Sequence, residues 1–177
     1  MQMSSFNFAA KIRLFAVPTL FFLSAQAAVA AEPITISSTV PYANGEVATP
    51  AIRQECHWNS DLPAAMVARS DGGIVATDKD LSTFAGRKLT MTVTSIHAAG
   101  GMFGGPKWAV IDGELTEDGK LQGSFHLRRA TTSGNITSCG SLDKIGSALA
   151  TDILKWLKNP SVSTAASAEK EAGSTGQ

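Results

Sequence analysis

The chain has 177 residues, 15 of them basic and 15 acidic, and 44% of them hydrophobic. That length suits a single domain with one core. Balanced charge without a basic run makes it a poor partner for nucleic acid or an anionic membrane surface.

Lys11 and Arg13 precede an apolar stretch from Leu14 to Ala27, and Ala28-Val29-Ala30 supplies a small-x-small cleavage pattern. Residues 1–30 therefore read as a cleaved secretory signal peptide. Pro18 and the short apolar core speak against a membrane anchor. No cysteine follows to carry a lipid, so no stable membrane insertion is expected after cleavage. Losing Lys11 and Arg13 leaves 13 basic against 15 acidic residues in a mature chain starting near Ala31. The expected setting is periplasmic or secreted, in a bacterium.

Ile34 to Val40 suits a first strand, and Asn44-Gly45 marks a turn within a loop from Pro41 to Pro50. Ala51 to Cys56 leads towards a helix expected over Asp61–Ser70. Asp61 would cap it, Pro63 would occupy its first turn, and Asp71-Gly72-Gly73 would stop it. Ile74 to Ala76 is a further short extended segment.

The centre of the chain, Leu89 to Ala130, reads as three antiparallel strands. Leu89, Met91 and Val93 alternate with Thr90, Thr92 and Thr94, the pattern of a half-buried strand. Lys107–Leu115 and Leu121–Ala130 are two more runs. A three-residue loop, Glu117-Asp118-Gly119, would pair Leu115 with Leu121, Ile111 with Phe125 and Ala109 with Leu127, placing the large apolar pairs on one face. The opposite face would carry Thr92, Asp112 and Ser124, then Thr94, Val110 and His126, then Ile96, Trp108 and Arg128. The loop Gly100-Gly-Met-Phe-Gly-Gly-Pro106 would lift Met102 and Phe103 above the apolar end of that face.

Ser141 to Leu157 has the clearest helical spacing: Leu142, Ile145, Leu149, Ile153 and Trp156 recur on one side, with Ser141 as its cap. That stripe is expected to cover the Leu89/Ile111/Phe125 face. Pro160 ends the helix, and residues 161–177 form a small-residue polar tail expected to be disordered. The fold class is thus α+β, in the order β-α-β-β-β-α: an antiparallel sheet of three to four strands with two helices on one face. Residues 31–160 form its single domain. Cys56 and Cys139 are the two cysteines of an exported chain, and a disulfide between them is expected.

Four local patterns occur together: Glu55-Cys56-His57-Trp58-Asn59 with Leu62-Pro63, Gly104-Gly105-Pro106-Lys107, Cys139-Gly140-Ser141-Leu142, and Asp152-Ile153 with Trp156-Leu157 and Pro160. Over roughly Ile52 to Pro160 the chain resembles a group of small, signal-bearing, uncharacterised proteobacterial envelope proteins. That resemblance implies an envelope setting and no activity.

The three histidines, His57, His97 and His126, form no metal-ligand spacing, and no metal or cofactor is expected. The glycine-rich loop lacks the lysine-serine ending of a phosphate loop and joins two strands. The expectation is a non-enzymatic binding or accessory protein. It would engage an envelope protein or cell-wall component through Ile96, Met102, Phe103, Trp108, His126 and Arg128, residue types that anchor interfaces. Two alternatives stand beside it: a small hydrolase using Asp112, Ser124 and His126, and a structural or stress-related envelope protein.

Overall fold

A computed structural model describes residues 32–98, 106–131 and 137–163. The segment expected to be a signal peptide, the loop bearing Met102 and Phe103, and the tail beyond Ser163 lie outside the described residues. The described residues form three α-helices and a five-stranded mixed sheet, in the order β1 (Ile34–Ser37), α1 (Pro50–Glu55), α2 (Trp58–Ala68), β2 (Ile74–Thr77), β3 (Arg87–His97), β4 (Lys107–Glu117), β5 (Lys120–Thr131) and α3 (Ser138–Trp156). The class is that expected, but the sheet is not the antiparallel one of three to four strands. Its order is β2-β1-β3-β4-β5, with β1 parallel to both its neighbours.

The parallel half follows from chain connectivity. α1 and α2 carry the chain from β1 back to the start of β2, so β2 enters in the same direction. The step from β2 to β3 needs no full helix because β1 and β2 have only four residues each. The chain returns across roughly 13 Å, aided by a short 3-10 helix at Leu81–Thr83 that Asp80 caps through the Ser82 amide.

α1 has no counterpart among the two helices expected. Thr49 caps it and Pro50 starts it, a position where the missing N–H of proline costs nothing. α2 begins at Trp58 rather than at Asp61, which places Pro63 inside the helix. α3 begins at Ser138, capped by Thr137 through the Gly140 amide, and leaves Ser141 buried instead of capping. Its expected stripe holds: Leu142, Ile145, Leu149 and Ile153 are buried over β4 and β5. Trp156, the last residue of that expected stripe, sits half-buried at the C-terminal end of α3, edge-on to Phe125 with ring centroids 4.9 Å apart. The disulfide Cys56–Cys139 ties the end of α1 to the first turn of α3 across 83 residues of sequence.

Two bulges set the register of the antiparallel half. The β4–β5 turn is a two-residue Asp118-Gly119 loop with φ of 50° and 77°, the left-handed pair of a type I′ turn, and not the three-residue loop expected. One extra residue near Gln122 then restores the phase, so Leu115 faces Gly123, Gly113 faces Phe125 and Ile111 faces Leu127. A two-residue turn without the bulge would oppose Phe125 and Asp112; with it, Asp112 faces His126. Leu115 and Phe125 now each face a glycine, and the Phe125 ring lies directly over Gly113. A Cβ at Gly113 would come within 2.2 Å of it. Arg129, on this same face, reaches α3 and forms a two-pronged ion pair with Asp152.

The second bulge lies in β3 between Val93 and Ser95. As far as Val93 the β3–β4 register is the expected one, with Thr90 opposite Glu114 and Thr92 opposite Asp112. Beyond it every side chain changes face. The segment Pro41–Ala43 runs beside this point and shares two backbone hydrogen bonds with Val93.

Candidate functional site

The helices cover one face of the sheet; among the described residues no helix lies on the other, whose side chains are half-buried to exposed apart from the buried Val110. At its polar end Thr90, Glu114 and Ser124 stand in a row, followed by Thr92, Asp112 and His126. His126 thus sits opposite Asp112, where Ser124 was expected, because the bulge near Gln122 advances β5. His126 Nδ1 lies 2.5 Å from Asp112 Oδ1. The two side chains are 37% and 48% exposed, so this is a wet pair on a flat surface. Nδ1 is engaged by the carboxylate, and Nε2 has no hydrogen-bond partner among the described residues.

At the other end the β3 bulge exchanges two residues. Ile96, expected on the open face, pairs with Ala109 and packs against the core. His97, which continues the core-side parity of Leu89, Met91 and Val93, instead pairs with Trp108 and stacks on its ring, with centroids 5.6 Å apart and planes 16° from parallel. Arg128 approaches from β5 with its guanidinium carbon 5.0 Å from the Trp108 ring centroid. His97 and Arg128 stand on the two strands that flank β4, so Trp108 is held between an imidazole and a guanidinium. Of the residues expected in a binding surface, Trp108, His126 and Arg128 share the open face and Ile96 does not. Met102 and Phe103 fall outside the described residues.

Sequence reasoning missed His97, although the signal was present. Core-side apolar positions run Leu89, Met91, Val93 and then resume at Ile96 and Ala98, a slip from odd to even numbers that only an inserted residue explains. His97 also lines a cavity of about 370 Å³ beside the disulfide, together with Glu46, Glu55, Ile52 and Ser138.

The site offers planar and charged groups on a rigid sheet. It can stack against, hydrogen-bond and pair with a ligand surface. Ser124 Oγ is directed to the Ser163 carbonyl at 3.5 Å, and among the described residues no hydroxyl or thiol hydrogen-bonds His126. No three residues of metal-ligating type gather among the described residues. No described helix is long and apolar enough to cross a membrane.

No protein-family model matches the chain, and no curated protein matches it in sequence. Among solved structures it is similar to PelC from Paraburkholderia phytofirmans, a dodecamer, at 16% identity and a TM-score of 0.48, covering 70% of this chain and 87% of that one. A Xanthomonas campestris protein described as DUF330 is similar at 15% identity and a TM-score of 0.46, covering 72% of this chain and 84% of that one. A Helicobacter pylori protein described as a putative neuraminyllactose-binding hemagglutinin homolog is similar at 12% identity and a TM-score of 0.43, covering 72% and 86%. Likeness at this level carries no reading of activity. The native disulfide is consistent with an extracytoplasmic setting.

Proposed function

We propose that this chain is a non-enzymatic binding or accessory protein of the bacterial envelope whose working surface is the uncovered face of its sheet. The observation that supports this reading is the cross-strand stack His97–Trp108–Arg128 on the face that no helix covers. Tryptophan and arginine are the side chains that most often anchor interfaces, and a preformed stack loses little freedom on binding. The Asp112–His126 pair extends the same face with hydrogen-bonding groups. The partner class is an envelope protein or a cell-wall component. The hydrolase alternative has its Asp–His pair, but among the described residues no nucleophile is hydrogen-bonded to it.

The test compares retention of the purified mature chain on isolated cell-wall sacculi and on immobilised envelope-protein extract. Trp108→Ala/Arg128→Ala should lose retention while its Tm stays within a few degrees of wild type, because both residues stand on the open face. Equal retention by variant and wild type, or no retention of wild type on either matrix, would refute the reading.

A further inference from the structure

On the helical side of the molecule, a groove of about 620 Å³ runs between the end of α2, the edge strand β2 and the last turns of α3. That volume lies within the range of roughly 300–1,000 Å³ typical of small-molecule sites. Its floor is apolar: Ile34 and Ile74 come from the strands, and Leu154 and Leu157 from the end of α3. Its rim carries three cations, Arg69, Lys155 and Lys158, against one carboxylate, Asp71.

Arg69 is fixed without being neutralised. Its guanidinium donates to Ser147 O at 3.1 Å, Thr151 Oγ1 at 3.1 Å and Ser147 Oγ at 2.8 Å, all uncharged acceptors. Lys155 and Lys158 are exposed and form no ion pair among the described residues. A lysine near a helix C-terminus is favoured by the helix dipole alone. The dipole does not explain why cations from two helices converge on one groove with an apolar floor.

We propose that this groove binds an anionic amphiphile of the fatty-acid class. The acyl chain lies on Ile34, Ile74, Leu154 and Leu157, and the carboxylate sits among Arg69, Lys155 and Lys158. Charge complementarity selects the headgroup: three cations against one anion favour a carboxylate and repel a cationic head, most strongly where apolar walls exclude water. The groove opens on the helical layer and shares no residue with the uncovered sheet face, so the two proposals stand or fall separately.

Isothermal titration with laurate and with dodecyltrimethylammonium, both below their micelle concentrations, tests the proposal. These probes share one chain length and differ in the sign of the head. Wild type should bind laurate saturably and dodecyltrimethylammonium at least about tenfold more weakly. Lys155→Glu/Lys158→Glu should weaken laurate about tenfold, as expected when charge-assisted contacts become repulsions. A charge-matched control, Lys120→Glu/Lys144→Glu, changes lysines outside the groove and should leave laurate binding unchanged. Absence of saturable laurate binding, equal binding of the two amphiphiles, or equal weakening in the two lysine variants would overturn the proposal. The two amphiphiles on wild type decide it even if a variant fails to fold.

Discussion

Asp112 and His126 face each other across β4 and β5 with 2.5 Å between Oδ1 and Nδ1, and a single extra residue near Gln122 brings them together. Without it, the turn at Asp118-Gly119 would oppose Asp112 to Phe125. That register would force one charged or one large apolar side chain onto the wrong face. The bulge therefore serves the core first: it gives Phe125 the space above Gly113. The polar pair on the other face follows from the same shift.

The Gly113–Phe125 fit is directly testable. Gly113→Ala would put a Cβ 2.2 Å from the ring's Cζ, closer than any tolerated contact, in a strand paired on both sides. Overpacking of this kind typically costs about 1–3 kcal/mol. Urea denaturation should show that loss, and adding Phe125→Leu should recover part of it. An unchanged midpoint for Gly113→Ala would mean that the ring does not lie over the glycine.

Leu149 lies fully buried at the centre of the α3 stripe, above β4 and β5. Leu149→Ala should destabilise by about 2–5 kcal/mol in the same assay, the range for buried leucines. A change below about 0.5 kcal/mol, the range of surface substitutions, would show that the stripe faces elsewhere.

This stripe was legible because five apolar residues at helical spacing have one explanation. The faces of β4 and β5 were legible for a similar reason: the tighter turn and the one-residue bulge each move the pairing by one, and the two-residue sum preserves parity. The exchange of Ile96 and His97 comes from one inserted residue in β3 that reverses parity; its trace in the sequence is only the slip to Ile96 and Ala98, which the strict alternation up to Val93 overshadows. The parallel pairing of β1 and β2 was hidden as well. Four-residue strands carry too few positions for their pattern to show direction, and α1, whose cap and proline start are plain in Thr49-Pro50, straddles the end of the expected loop and the segment leading out of it.

The Cys56–Cys139 bond closes a loop of 83 residues. In the chain-entropy model a loop of that length is worth roughly 4–5 kcal/mol. Cys56→Ser/Cys139→Ser should therefore lose several kcal/mol relative to the oxidised protein. Peptide mapping without reductant should find the two cysteines joined, with the pair about 2 Da lighter than its free-thiol peptides. Two alkylatable thiols in freshly isolated protein would contradict the bond.

A different glycine should tolerate change. Gly146 lies in the middle of α3 against Trp58, where a Cβ would find its nearest atom at 3.5 Å, an ordinary contact. Alanine gains up to about 1 kcal/mol over glycine in a helix interior. Gly146→Ala should raise the denaturation midpoint or leave it unmoved, and a clear fall would mean that α3 and Trp58 pack more tightly than this spacing implies.

The last prediction concerns pH. Asp143 on α3 has its pKa raised above the ordinary aspartate value, chiefly by partial burial and then by the nearby Asp61 carboxylate, with His57 opposing the rise. The folded protein therefore favours the protonated acid more than the unfolded chain does. Its contribution to stability is fully present below the unfolded value of about 3.9 and is lost as pH rises through the higher folded value. At neutral pH the ionised Asp143 is a cost, and Asp143→Asn removes it while keeping shape and helix propensity nearly constant. The side chain is exposed and screened by solvent, so the gain at pH 7 should stay under about 1 kcal/mol. The difference should shrink as pH falls and vanish below about pH 4. Denaturation of both proteins across that range checks the sign: a variant less stable than wild type at pH 7, with the gap closing in acid, would show that His57 outweighs burial and Asp61.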